Sequence, residues 1–280
     1  MNTCKKLISV LMTLVLLCVT CSCFAAAAQE QTEYVLLGDS IAYGAGIRNR
    51  DKACYGRIVA DTNGYGYTNL GVNGFTSADL LQALGRADYQ AAVKKADIIS
   101  ISIGGNDFRH SNLVMMILNA TIDNYDRMER CVETIRVNLL QILAEIREMN
   151  PDAVILLQTL YNPRVDGLRS IYQQGIDRLN AMFKAVQAAQ PDGLEIVDVA
   201  PVMSGHANYI AVDTIHPSAL GNVVIARVVL QKLCELGLGT ETEPVINEPG
   251  VDNLGGFGTF VIRLVAIMTG TLAQAINALA

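Results

Sequence analysis

The sequence predicts an α/β fold, a mostly parallel sheet of about five strands with helices on both faces. Two observations carry this expectation. From Glu33 to Gly237, short β-type apolar runs alternate with longer helical stretches, and that alternation implies right-handed crossovers between parallel strands. The runs are also apolar at consecutive positions, as in Asp97-Ile-Ile-Ser-Ile-Ser-Ile103, which suits strands buried on both faces.

Taken in order, Tyr34 to Leu37 is the first strand, stopping at Gly38-Asp39-Ser40, and Tyr55 to Asp61 belongs to the helix that follows. Tyr67 to Leu70 is a short second strand, closed by Gly71-Val-Asn-Gly74. Ser77 reads as a helix N-cap, with Leu80, Leu81 and Leu84 on one face behind it. Asp97 to Ile103 is the clearest strand and ends at Gly104-Gly105-Asn106-Asp107. A long helix over 124–149 places Met128, Val132, Ile135, Leu139, Ile142 and Ile146 at three- and four-residue steps, and Asn150-Pro151 stops it. Ala153 to Gln158 is a fourth strand, leading to Tyr161-Asn162-Pro163. Ile171 to Gln190 is a helix, Leu194 to Val199 a fifth strand stopped by Pro201, and Ala219 to Leu236 a last helix before Gly237. Strand order is not legible from this pattern.

The residues just past the carboxyl ends of parallel strands meet on one edge of the sheet, where such folds place their sites. Ser40, Gly74 and Asn106 each follow a different strand. Ser40 supplies a hydroxyl. Gly74 leaves its backbone N–H open to close approach, and Asn106 offers an amide NH₂ that faces a developing negative oxygen without titrating. A serine becomes a nucleophile only with a base beside it. Of the three histidines, His110 and His206 read as surface or loop residues. His216 lies in Asp213-Thr-Ile-His216-Pro217, ahead of the last helix. An aspartate three residues before a histidine in a turn can hold Nδ1–H and leave Nε2 free as a base. Pro217 limits His216 to extended conformations and suits the first turn of that helix.

These four blocks, Gly38-Asp39-Ser40, Gly71-Val-Asn-Gly74, Gly104-Gly-Asn106-Asp107 and Asp213-Thr-Ile-His216-Pro217, resemble in order those of the SGNH hydrolases, also called GDSL esterases and lipases. The resemblance spans about residues 33 to 237. It implies a three-layer, flavodoxin-like α/β/α fold and a serine acylhydrolase with no metal and no cofactor. By the same resemblance Ser40 is the nucleophile, His216 the base and Asp213 its orienting acid. The Ser40 and Gly74 N–H groups and the Asn106 side chain form the oxyanion hole. Gly71 and Gly74 both sit in the second block; Gly74 is preferred because it directly follows Asn73. Asp39 and Asp107 hold loops, and Tyr161-Asn162-Pro163 resembles a stretch of bacterial members without a chemical role to give it. Two rival readings are a catalytically silent glycan- or cell-wall-binding module and a nucleotide-binding flavodoxin-like protein. Gly44-Ala-Gly46 is too short for G-x-G-x-x-G and no Walker sequence appears.

The ends of the chain differ from its middle. Residues 1–28 read as a signal peptide: Lys5 and Lys6, an apolar run from Leu7 to Val19, then Phe24-Ala-Ala-Ala-Ala28. Export follows from that reading, with an uncleaved anchor or a lipoprotein at Cys18, Cys21 or Cys23 as alternatives. Without this segment 19 basic and 27 acidic residues remain, a net charge of −8, which argues against a nucleic-acid partner. Cys54, Cys131 and Cys234 lack metal-ligand spacing and could form one bridge at most. The hydrolase domain then covers 29–239 and a linker rich in Glu, Pro, Gly and Asn covers 240–256. Residues 257–280 form an apolar helix whose polar members Arg263, Gly270, Gln274 and Asn277 fall in one stripe. That helix is expected to dock on the domain, pair with a second copy or lie on a membrane surface. Its uncharged run, Leu264 to Ala280, is 17 residues, short of the ~20 that cross a bilayer core. The acyl and alcohol parts of the substrate are not legible.

Overall fold

The computed structural model describes residues 31–253. The signal peptide read at 1–28 and the apolar helix read at 257–280 lie outside them. In chain order the elements are β1 (Glu33–Gly38), α1 (Ser40–Tyr43), α2 (Arg50–Ala53), α3 (Tyr55–Asn63), β2 (Gly66–Gly71), α4 (Ser77–Ala83), α5 (Ala87–Lys95) and β3 (Ile98–Ser102). Then come α6 (Gly105–His110), α7 (Leu113–Ala120), α8 (Asp126–Met149), β4 (Val154–Gln158), α9 (Arg169–Ala189), β5 (Leu194–Val197), α10 (Ala200–Met203), a 3-10 turn (Ala207–Tyr209) and α11 (Ala219–Glu235). The sheet is parallel throughout, in the order β2-β1-β3-β4-β5. The order reverses between β1 and β3, and a crevice opens at such a switch point beyond the strand ends.

Alternation along each strand builds the two outer layers. Val35 and Leu37 of β1, Ile99 and Ile101 of β3, and Ile155 and Leu157 of β4 face a core closed by α4, α5, α8 and α9. Tyr34, Leu36, Ile98 and Leu156 face the other side, covered by α3 and α11. The long helix α8 buries Met128, Ile135, Leu139, Ile142 and Ile146, the stripe its sequence period predicts. The three-layer α/β/α class and the sheet of five strands are as the sequence indicates.

Several local expectations need correction. Thr76, not Ser77, caps α4: its side chain accepts from Asp79 N–H, and the Asp79 carboxylate accepts from Thr76 N–H. Ser77 is already helical, and its hydroxyl is committed elsewhere. Pro217 precedes the last helix instead of opening it; Ser218 is the cap, accepting from Gly221 N–H. The fifth strand stops at Val197, and the chain turns into α10 with Pro201 in its first turn. The expected linker is laid along the domain as far as Asn253. Lys52 pairs with Glu248, Arg227 with Glu243, and Val251 C=O accepts from Arg48 N–H. Cys54, Cys131 and Cys234 are free thiols.

Candidate active site

The site begins where β1 runs out. Gly38 has φ +126, and a Cβ there would lie 2.0 Å from the Ser102 carbonyl oxygen, so only glycine lets the chain pass over the end of β3. Asp39 N–H then donates to that same carbonyl at 2.9 Å. The Asp39 carboxylate caps α1 by accepting from Ile41 N–H at 2.9 Å. Ser40 is therefore the first residue of a helical turn. Its N–H has no intrahelical carbonyl to meet, and its side chain stands at the sheet edge, 9 % exposed.

The partner of Ser40 comes from 176 residues further along the chain. His216 Nε2 lies 2.8 Å from Ser40 Oγ, and His216 Nδ1 lies 2.6 Å from Asp213 Oδ2. The other carboxylate oxygen, Oδ1, accepts from the backbone N–H of Ile215 and of His216, both at 3.0 Å. Burial works against ionisation of Asp213, but the bonds from the His216 ring and these two N–H groups outweigh it. The carboxyl is held below its ordinary range. The turn is tight enough to put Thr214, a β-branched residue, at φ +67, a conformation that persists only where its surroundings impose it.

One part of that imposition comes from the end of β4. Tyr161, buried at the start of the Tyr-Asn-Pro stretch, donates from its hydroxyl to Ile215 C=O at 2.7 Å. Asn162 beside it spends its whole side chain locally. Its amide donates to Arg169 C=O and Gln173 Oε1, and its carbonyl accepts from Arg164 N–H.

The other two strand ends form the opposite wall. Val72 N–H donates to Gly38 C=O at 3.0 Å, tying the second block to the first. Gly74 holds φ +85, a left-handed turn that glycine accepts without strain. Gly71 is glycine for another reason, because a Cβ there would meet Tyr43 N at 2.5 Å. Asn106, in the first turn of α6, donates to Phe75 C=O at 3.0 Å, which uses one amide proton and leaves the second. Asp107, next in sequence, accepts from Ser77 N–H at 3.0 Å and from the Ser77 hydroxyl at 2.5 Å. Burial pushes its carboxyl up, and its bonds lock the second and third blocks together. Among the described residues no cluster of His, Cys, Asp and Glu side chains could hold a metal ion.

The structure thus joins Ser40, His216 and Asp213 by direct hydrogen bonds, and it hangs Asn106 on the loop that carries Gly74. His110 and His206 are both exposed and away from this relay, His206 stacked on Tyr209. Over residues 36–224 the chain matches the model of the GDSL-like Lipase/Acylhydrolase family. The chain belongs to that family.

Curated relatives are similar to it along most of their length. The Bacillus subtilis (strain 168) protein YpmR, uncharacterized, is 26% identical over 258 residues, 84% of this chain and 99% of its own. The spore germination lipase LipC of Bacillus licheniformis is 25% identical over 68% of this chain and 90% of its own. Among solved structures, the lipase Lip_vut3 from a goat rumen metagenome superposes with a TM-score of 0.59 at 23% identity, over 75% of this chain and 99% of that one. Phospholipase A1 from Streptomyces albidoflavus NA297 gives 0.55 at 18%, over 72% and 99%. At these identities the two structures speak for the fold alone.

Sequence reasoning misses three parts of this GDSL-family site. Phe75 lends only its carbonyl, which no side-chain motif marks. Ser77 looks like a cap and instead holds Asp107. Tyr161 stands out in the sequence without a role, and its partner Ile215 is 54 residues away.

Proposed function

We propose that the chain hydrolyses carboxylic esters through an acyl-Ser40 intermediate. The observation that carries this reading is the relay from Ser40 Oγ through the His216 ring to Asp213, with hydrogen bonds of 2.8 and 2.6 Å. Ser40 Oγ attacks the ester carbonyl carbon while His216 Nε2 takes its proton. Asp213 holds Nδ1–H and balances the imidazolium that forms. The tetrahedral oxygen, now negative, is met by the Ser40 N–H, the Gly74 N–H and the free amide proton of Asn106. Collapse breaks the bond to the alcohol, which leaves with the proton from His216. Water then attacks the acyl-enzyme by the same route, giving the acid and free Ser40.

The test is Ser40→Ala, which removes the acyl acceptor without touching the fold. Ester cleavage and labelling by a fluorophosphonate should both vanish while the unfolding midpoint holds; surviving turnover sinks the assignment. Loss of one oxyanion donor costs ~10²–10³ in kcat, so Asn106→Ala should fall in that range with the labelling site unchanged. A mild effect would remove Asn106 from the hole.

Residues 1–28 support export as a cleaved signal peptide, and we place the enzyme outside the cell on that reading. The spore germination lipase LipC among its sequence relatives favours an ester with an apolar acyl chain. A rate series on p-nitrophenyl esters from acetate to palmitate, beside an acetylxylan assay, would define the acyl preference.

A further inference from the structure

The connections that leave the carboxyl ends of β3, β4 and β5 each carry an exposed apolar side chain. Between β3 and α8 the chain makes α6 and α7, and no charged residue occurs from Ser111 to Ile122. Helix α7 buries Met116 and Ala120. It turns Val114 and Leu118 outward, and Ile122 follows four residues on, in the turn after it; these are 67%, 49% and 73% exposed. Because α8 begins at this edge and runs back to the start of β4, α7 sits on the catalytic edge, directly after the short helix α6 that carries Asn106. Val165 after β4, Val202 after β5 and Ile215 beside His216 are exposed on connections of the same edge. Grouped exposed apolar residues mark a surface that meets something apolar, whereas scattered ones need no explanation.

The chain's far end indicates the occupant. Asp252 accepts from Ala219 N–H at 2.6 Å, at the start of α11 and three residues from His216. Asn253 N–H donates to Gly46 C=O at 2.9 Å, in the loop behind α1. The described chain therefore ends on the catalytic edge, and the sequence beyond it holds the uncharged run of 17 residues from Leu264 to Ala280. The amino end enters on the opposite edge, at the start of β1.

We propose that α7 docks the catalytic edge onto a neutral lipid surface, with Val114, Leu118 and Ile122 entering the acyl boundary. This names the presentation of the substrate for the ester hydrolysis proposed above and rests on that reading. The net charge of −8 left without residues 1–28 disfavours anionic surfaces, so the surface is zwitterionic or uncharged. The described chain ends on the same edge, and an ester with long chains resides at such a surface.

The protein contains no tryptophan, so a single introduced indole reports its own surroundings. Full-length L118W is mixed with phosphatidylcholine vesicles bearing dibrominated acyl chains, beside V137W on the exposed face of α8. The expected result is a blue shift and loss of emission for L118W, with V137W unchanged. Equal quenching of both would mean adsorption without orientation and overturns the proposal. Emission of L118W already blue before vesicles are added, and unquenched afterwards, overturns it in favour of a cover by the tail or a second copy. A second arm uses V114S/L118S/I122S, which should keep hydrolysis of dissolved p-nitrophenyl acetate and lose hydrolysis of esters held in vesicles. Equal rates on both substrates count against docking. Failure of dissolved-ester hydrolysis in the parent protein would refute the catalytic reading alone, since the indole signal does not depend on Ser40.

Discussion

Two aspartates lie close enough to His216 to feel its charge, and their surroundings drive them apart. Asp213 is partly open to solvent and receives the ring N–H and two backbone N–H groups; against the cost of its burial these keep the carboxyl below its ordinary range. Asp39 is 3 % exposed. It receives one backbone N–H at 2.9 Å and a long contact from the Ser102 hydroxyl at 3.4 Å. Burial dominates there and pushes its carboxyl up to about 7, with Asp107 adding to the rise. The same residue type thus supplies a carboxylate that stays ionised at neutral pH beside the histidine ring and a cap whose ionisation is pushed up to neutral pH. Environment assigns the two roles, as it does for paired carboxylates generally.

The largest test of that difference is to remove each carboxylate charge in turn. Asp213→Asn should lower kcat on the order of 10⁴-fold, because the ring loses both its tautomer and the partner of its positive form. Asp39→Asn keeps an acceptor for Ile41 N–H and should cost far less. Steady-state rates on a dissolved ester compare the two. Equal losses would mean that Asp39 belongs to the relay and that the contrast is false.

A second test reads stability against pH. The unfolded Asp39 carboxyl ionises near 3.9, the folded one near 7. Between those values the unfolded chain gives up its proton while the folded one keeps it, so stability present below about pH 4 is lost as pH rises through 7. Each pH unit that separates the two ionisations is worth about 1.36 kcal/mol, so the loss is on the order of a few kcal/mol. Asp213 has the opposite sign, since its folded carboxyl is depressed. Its contribution is present above about pH 4 and lost as pH falls below that. Urea unfolding of the parent and of Asp39→Asn from pH 4 to 8 should show the gap moving in favour of the variant. A gap independent of pH would refute the raised carboxyl.

Which parts of this site are readable follows from how local their causes are. Ser40, Asn106 and the Asp213–His216 pair declare themselves in short blocks at strand ends, and β3 is legible because five consecutive residues are buried. Helices α5, α6 and α7 are not legible in the same way. In α6 a glycine pair opens the helix, and α7 is apolar nearly all round, so neither shows the period of a half-buried helix. The docked course of 240–253 rests on isolated bonds, many between residues nearly 200 positions apart, such as Lys52 to Glu248, and composition alone reads such a stretch as a spacer. The raised Asp39 carboxyl is equally hidden, since it depends on which neighbours the fold brings and which it withholds.

The smallest expected effect lies between the two aspartates. Tyr161 is buried, and both Asp39 and Asp213 act to hold its hydroxyl in the protonated form, after burial itself. Its O–H fixes Ile215 C=O at 2.7 Å, one residue before His216 and in the turn that strains Thr214. Tyr161→Phe removes that bond and leaves a carbonyl to find another donor, a loss of about 1 kcal/mol. If the bond only stabilises the fold, the unfolding midpoint drops while kcat and the rate of fluorophosphonate labelling stay where they were. If it positions the base, kcat should fall by up to roughly tenfold with KM little changed, because about 1.4 kcal/mol of misplacement is a factor of ten in rate. Labelling of Ser40 should slow in the same proportion. The split between those two outcomes decides whether the Tyr-Asn-Pro stretch serves the sheet or the histidine.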